Sequence, residues 1–454
     1  MYATMEKPVN DAPRTLIVGL GKTGLSCARF LARQGLPVAV TDSRDRPPAL
    51  AGLQRELPSV AVFAGGFDAA AFDAADRLIV SPGVAVGHPL IQRALRRGVE
   101  VIGDIELYAR ASTRPVIAIT GSNGKSTVTA MLAAMARACG RRVGVGGNFG
   151  TPALELLDEE TDLDVLELSS FQLETTVSLA PVAAAVLNIS ADHMDRYEGI
   201  DDYALAKARI YRQAGHPVFN RDDAAVMAMR QGNHPASFFT LGTPADATTW
   251  GVREHAGAGW LARGAERLMP VSELPLPGRH NQANALAALA LGAAAGLPLE
   301  GMLTGLRGFH GLPHRTQFVA EIDGVRWFND SKGTNPGATI AALNGFADHQ
   351  GRILLIAGGQ CKNADFAPLA VVARRVCKAL ILFGEDAARI EQALDPDQRV
   401  ERAADLREAI ALAAERAAPG DIVLLSPACA SFDMFSGFEQ RGEQFVRIVL
   451  EYRE

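Results

Sequence analysis

A short apolar run, Pro115-Val116-Ile117-Ala118-Ile119, passes without a linker into Thr120-Gly121-Ser122-Asn123-Gly124-Lys125-Ser126-Thr127, and an alanine-rich segment of helical character follows. A buried strand that ends in a glycine turn and opens a helix constrains the fold strongly. It calls for a parallel α/β sheet, and it aims several backbone N–H groups and the positive helix end at one point, where polyphosphate charge is stabilised. Lys125 then reaches the β- and γ-phosphates of a nucleoside triphosphate, and the Ser126 hydroxyl a Mg²⁺. The run departs from the general G-x-x-x-x-G-K-[ST] pattern, because Ile119 takes the place of the first glycine and the tight turn falls on Gly121. The bland alternative is an ordinary strand-to-helix turn with a surface lysine. Agreement between strand, loop and helix argues against it.

A chain of 454 residues exceeds one ordinary core and suggests about three domains. Strand runs alternate with helical patterns in three stretches, the signature of α/β units with largely parallel sheets. The expected fold is therefore α/β with three domains: a Rossmann-like N-terminal domain over 1–103, a central P-loop ATPase-like domain with a mostly parallel sheet over 104–311, and a Rossmann-like C-terminal domain over 312–454. Strands are expected at 15–18, 38–40, 78–80, 165–168, 183–188, 352–356, 379–383 and 421–425. The stretch 218–274, with Trp250, Trp260 and several glycines, is less regular and is expected to form a mixed or antiparallel edge. The most apolar helix candidate, 283–295, is too short for a bilayer and reads as a packed core helix.

A formal charge of −6 gives no reason to expect nucleic acid or an anionic membrane as partner, so a polyanionic ligand must be held by local groups. Five scattered cysteines without C-x-x-C spacing read as reduced thiols of a cytoplasmic protein. The N-terminal residues lack the apolar core of a signal peptide.

Gly19-Leu20-Gly21-Lys22-Thr23-Gly24 follows the first strand, and Asp42 closes the next. The glycines admit a pyrophosphate and the acid meets a ribose hydroxyl, as in a dinucleotide site, although a UDP-linked ligand fits equally. Glu167 ends the strand after the phosphate loop, where parallel sheets bind ligands; it reads as a Mg²⁺ ligand or as a cap. His193, among acidic neighbours, reads as a ligand or as a loop-shaping histidine bonded to Asp195. Lys207, on a helix expected to start near Tyr203, looks like any surface lysine. Lys332, Thr334, Lys362 and Ser431 lie after strand ends and together suit a small dicarboxylate, unless they are solvated loop residues and helix caps.

These motifs occur in an order that resembles the Mur ligase family of peptidoglycan synthesis. The likeness covers nearly the whole chain and includes 120–127, 167–173, 188–197, 278–284, His314-Arg315, 330–335 and 426–432. It implies an ATP-dependent ligase that adds D-glutamate to UDP-N-acetylmuramoyl-L-alanine through an acyl phosphate. A ligase adding L-glutamate to the same substrate stays open on these motifs, and a nicotinamide-dependent oxidoreductase is the remote alternative. The resemblance assigns Lys22, Thr23, Asp42, Ser43, Arg44, Gly83, Asn148 and His193 to the UDP substrate. It assigns Gly121, Ser122, Asn123, Gly124, Lys125, Ser126, Thr127, Asn281, Asn284, Arg315 and Asp330 to ATP. Lys332, Thr334, Lys362, Ser431 and Phe438 are assigned to the incoming glutamate. Ser126, Glu167, His193 and a carbamylated Lys207 would serve two Mg²⁺ ions, the carbamate coming from CO₂, and Lys125, Glu167, His193, Lys207 and Lys332 would act in catalysis. Small-molecule substrates and a monomer are expected. Two departures stand out: Gln360-Cys361 where the family commonly has Asp-Gly, and Gly333 where alanine is usual.

Overall fold

The computed structural model describes residues 13–194, 196–232, 234–276, 278–346, 352–361 and 364–452. The chain folds into two compact units. The first comprises 1–120, 140–186 and 205–217, and the second 121–139, 187–204 and 218–454.

The first unit contains a five-stranded parallel sheet in the order Ala61–Ala64, Val38–Asp42, Thr15–Val18, Arg77–Val80 and Glu100–Ile102. Thr15 is in register with Val38 on one side and Arg77 on the other. Thr15–Val18 is buried along its whole length, as expected of a strand covered on both faces. The order reverses beside this strand, which places the loop after Val18 at a switch point, the usual ligand crevice of such sheets. The same unit holds Ala183–Val186, Val116–Thr120, Leu163–Glu167 and Val143–Gly147, hydrogen-bonded in that order and parallel. Ile119 pairs with Glu167, and Thr120 with Val186.

In the second unit, Lys125–Ala138 forms a helix whose buried Val128, Leu132 and Met135 recur at helical spacing. The expected core helix spans Arg279–Ala294 and starts four residues earlier than the apolar run suggested. That extension brings Asn281 and Asn284 into its first turns. The irregular stretch resolves as expected into a mixed edge. Pro217–Asn220, Ser237–Phe239 and Thr249–His255 pair in parallel, and Ala258–Arg263 and Glu266–Pro270 add antiparallel strands.

The C-terminal sheet of this unit has the order Gln317–Ile322, Val325–Asn329, Ile422–Leu425, Ile353–Gly358, Cys377–Phe383 and Val400–Arg402. It is parallel except for Gln317–Ile322, which pairs antiparallel with Val325–Asn329. Alternate residues feed two cores: Phe328, Leu355 and Leu424 enter one, and Trp327, Leu354, Ile356 and Val423 the other. This period of two buries both sheet faces and leaves the strand ends to carry polar loops. Among the described residues no helix is long and apolar enough to cross a membrane.

Candidate active site

The phosphate loop of the second unit is held in shape from several sides. Ser122 N–H donates to the Asn188 carbonyl at 2.9 Å, Asn123 N–H to Asn188 Oδ1 at 2.8 Å, and Asn188 Nδ2 returns a bond to Asn123 O at 3.1 Å. Gly124 adopts φ 82°, and a Cβ there would lie 2.6 Å from Asn284 Oδ1, so the position needs glycine for both conformation and space. Lys125 Nζ folds back over the loop and donates to the carbonyls of Gly121 and Ser122, both at 2.9 Å. Its charge thus lies over the loop itself.

Asn123, Gly124, Thr127, Asn281, Asn284, Arg315, Asp330 and Lys332 line one cleft of this unit, with a volume of about 80 Å³. Arg315 Nη2 donates to Ser126 Oγ at 2.6 Å, and Asn284 Nδ2 to Asn281 Oδ1 at 3.3 Å. Ligand pockets usually offer about 300–1,000 Å³, so a nucleotide would need side chains such as Arg315 to withdraw. His314 and Thr316, which flank Arg315, have φ of 63° and 43°. Asp330 holds this strained turn, since its Oδ1 accepts Thr316 N–H at 3.0 Å while its Oδ2 accepts the Ser426 hydroxyl at 2.7 Å.

Burial pushes the Asp330 carboxyl up to about 6, and the bonds from Ser426 and Thr316 offset this only in part. The folded chain therefore holds this proton more tightly than the unfolded chain, whose value is near 3.8. The stability it contributes is complete below about pH 4 and is lost as pH rises through about 6, roughly 3 kcal/mol by pH 7. Asp330→Asn keeps the shape and does not titrate. Its thermal midpoint is expected to change less between pH 4 and 7 than that of the parent, as read by circular dichroism.

His193, at φ 57°, lies in the same unit, with Nε2 3.7 Å from Asp192 Oδ2 and its own N–H on Asp192 Oδ1. The expected partner Asp195 lies outside the described residues. In the C-terminal part of the unit, Lys332 Nζ sits 3.7 Å from the Phe438 ring centroid, a cation–π contact. Ser431 is buried and Thr334 half-buried on neighbouring loops. Lys362 lies outside the described residues. Gly333 proves tightly enclosed: a Cβ there would meet Ser426 Oγ at 2.6 Å and Asp330 Oδ2 at 2.7 Å.

Arg441 escaped notice in the sequence, yet its guanidinium is fully buried. It donates to Ser331 Oγ at 3.0 Å, Ser331 O at 2.8 Å, Cys429 O at 3.2 Å and Ala430 O at 3.4 Å. One side chain thereby fixes the loops that carry Lys332 and Ser431 from the helix that begins at Phe438. Burial lowers its pKa to about 10, leaving it charged at neutral pH. Arg441→Met would strand these acceptors and is expected to cost about 3 kcal/mol in urea unfolding. Asn188 was likewise missed as the brace of the phosphate loop. A helix-borne arginine four residues before the buried Phe445 carries no local signal, but an asparagine at a strand end two residues before Ser190 was a recognisable candidate.

In the first unit, Gly24 packs so closely that a Cβ would lie 2.0 Å from Gly19 O, which accounts for the third fingerprint glycine. Lys22 and Thr23 open the helix Lys22–Arg33, while Ser43, Arg44 and Gly83 are exposed near the same strand ends. Asp42 Oδ2 accepts Leu20 N–H at 2.7 Å and Arg44 Nη2 at 2.7 Å. Burial raises this carboxyl, but the bonds from Arg44 and Leu20 outweigh it and hold the pKa at about 2. Glu167 is 2% exposed and its Oε1 accepts Asn148 Nδ2 at 2.7 Å.

Lys207 corrects the surface reading. It is 1% exposed on the helix Ile200–Ala208, which starts three residues before the expected Tyr203, and its Nζ donates to Thr120 Oγ1 at 3.3 Å. Its partner Thr120 lies 87 residues away in sequence, which a one-dimensional pattern does not reveal.

The chain is thus a multidomain α/β protein built around a phosphate-loop strand, turn and helix. Three domain models match it in order: Mur ligase MurD-like N-terminal domain over 13–103, Mur ligase middle domain over 119–292, and Mur ligase glutamate ligase domain over 314–429. The chain belongs to the Mur ligase family. It is 56% identical over 441 residues to the UDP-N-acetylmuramoylalanine--D-glutamate ligase of Nitrosococcus oceani, covering 97% of each chain. It is 50% identical over 437 residues to the Pseudomonas aeruginosa protein of the same name, covering 96% of this chain and 97% of that one. Among solved structures it is similar to the MurF ligase of Thermotoga maritima in complex with ADP, with TM-score 0.62, 16% identity and coverage of 98% and 97%. A pseudomurein peptide ligase type C from Methanothermus fervidus gives TM-score 0.62, 18% identity and coverage of 97% and 100%. At such identities the likeness concerns the fold.

Proposed function

We propose that the chain is an ATP-dependent ligase that joins D-glutamate to UDP-N-acetylmuramoyl-L-alanine in the synthesis of peptidoglycan precursors. The observation that carries this reading is 56% identity to the Nitrosococcus oceani ligase across 97% of each chain. The chemistry answers a definite obstacle, since a carboxylate is a poor electrophile for an amine at neutral pH. The alanine carboxylate attacks the γ-phosphorus of ATP in line, ADP leaves, and an acyl phosphate forms, with Lys125 stabilising charge on the transferring group. The glutamate amine then attacks the acyl carbon, and phosphate departs as the amide bond closes and the amine proton is lost.

The three proposed functional segments are 1–103 for the UDP substrate, 104–311 for ATP and 312–454 for glutamate. Asn281, Asn284, Arg315 and Asp330 are assigned to the nucleoside and phosphates. Lys332, Thr334, Lys362, Ser431 and Phe438 are assigned to the amino acid, whose two carboxylates require compensating cations and directed donors. The Ser126 hydroxyl and the Glu167 carboxylate are hard oxygen donors of the kind Mg²⁺ takes, few in number as is usual when phosphates and water complete its shell. When bound, Mg²⁺ neutralises phosphate charge. Lys207 is proposed to carry a CO₂-derived carbamate, because an ammonium buried to this degree carries a desolvation penalty and a carboxylate-like group there would attract cations instead. Monomeric state and a cytoplasmic location belong to the same reading.

ADP and phosphate should appear in equal amounts only when ATP, the UDP-linked acceptor and glutamate are all present. Steady ADP formation with ATP alone would contradict a ligase.

A further inference from the structure

Cys361 and Cys429 lie in two loops of the second unit that an antiparallel bridge joins. Gln360 and Ala430 exchange both backbone hydrogen bonds, each at 3.0 Å. One residue along from that pair, Cys361 faces Cys429 as the next cross-strand pair, the non-hydrogen-bonded kind, in which Cα atoms approach to about 4.5 Å. A disulfide spans about 4.4–6.8 Å between Cα atoms. The two sulfurs already touch, Sγ to Sγ 2.7 Å, as free thiols. Cys361 is half-buried and reachable from solvent, while Cys429 is buried behind it. Asp386 Oδ2 accepts Cys361 N–H at 2.6 Å and fixes the loop backbone. Cys361 is one of the chain's own departures, standing where the family commonly has glycine.

We propose that Cys361 and Cys429 form a reversible modification site, oxidised by a low-molecular-weight disulfide to an internal disulfide that restrains the amino-acid-binding loops. The Cys361 thiolate attacks the small disulfide and releases one thiolate, leaving a mixed disulfide. Cys429 then loses its proton and attacks the Cys361 sulfur, which expels the second thiolate. Two protein thiols are oxidised and one small disulfide is reduced to two thiols. The effect on activity rests on the function proposed above, in which Ser431, two residues beyond Cys429, serves the glutamate. Arg441 ties Cys429 O and Ala430 O to Ser331, so a restraint on Cys429 reaches the loop of Lys332 as well.

The test treats the full-length protein with glutathione disulfide, alkylates remaining thiols, maps peptides by mass spectrometry, and measures KM for D-glutamate and for ATP. A peptide pair joined through Cys361 and Cys429, reversed by dithiothreitol, is expected, with KM for glutamate raised several-fold and KM for ATP raised less. Cys361→Ser and Cys361→Gly should neither cross-link nor respond to the oxidant. Alkylation of both thiols after treatment, glutathione retained on Cys361, or a cross-linked enzyme with unchanged glutamate KM would each overturn the proposal. If the untreated protein does not use glutamate, the functional reading fails, and the peptide map still decides whether the pair closes.

Discussion

Lys125→Ala is expected to abolish measurable ADP formation, lowering kcat by about 10³-fold or more, with little change in the thermal midpoint. Lys125 Nζ lies over the loop, 2.9 Å from the carbonyls of Gly121 and Ser122, where it neutralises backbone oxygens and would swing to a γ-phosphate. A preorganised donor aimed at charge that develops in the transition state is commonly worth 10²–10³ in rate, about 3–4 kcal/mol. Asn188 and the glycines hold the loop's shape as well, so loss of the ammonium leaves the fold intact. Phosphate release assayed beside circular dichroism separates the two effects. Turnover within tenfold of the parent in a folded variant would discredit the loop as the phosphate site.

Lys207→Met is expected to lower turnover on the order of 10²-fold, a typical loss when a group supporting a metal is removed. Methionine fills similar space while giving up the bond to Thr120 Oγ1, so thermal stability should fall far less than turnover. The two readouts thereby diverge, as they would not for a lysine that only packs. Under ¹³C-labelled bicarbonate the parent should give a carbamate carbon resonance that the variant lacks. An active Lys207→Met enzyme, or a parent without that resonance, would remove the carbamate from the account.

Most of the architecture could be read from local pattern. Ile17, Val40, Ile117, Val165 and Leu355 lie in strands buried on both faces, and such strands appear as continuous apolar runs that need no partner to be recognised. Strands at the sheet edges were harder. Ala61–Ala64 is mostly exposed, and Gln317–Ile322 mixes polar residues on an edge, so neither rises above a loop in sequence. At the site, glycine loops and strand-end acids carry their own signal, since backbone geometry demands particular residues there. Lys207 and Arg441 carry none. Whether a long basic side chain is solvated or buried depends on elements distant in sequence: Thr120 for Lys207, and the loops at 331 and 429–430 for Arg441. The departure at Gly333 had the opposite character. The residue was visible at once, but its reason was not until Ser426 and Asp330 proved to occupy the space of a methyl group.

The decisive measurement incubates the purified chain with ATP, Mg²⁺ and UDP-N-acetylmuramoyl-L-alanine, with D-glutamate and L-glutamate in parallel, and weighs the product. A D-glutamate ligase gives a UDP-linked product heavier by one glutamate residue with the D isomer alone, together with one phosphate released per product. Product with L-glutamate alone, or none with either isomer, would contradict it.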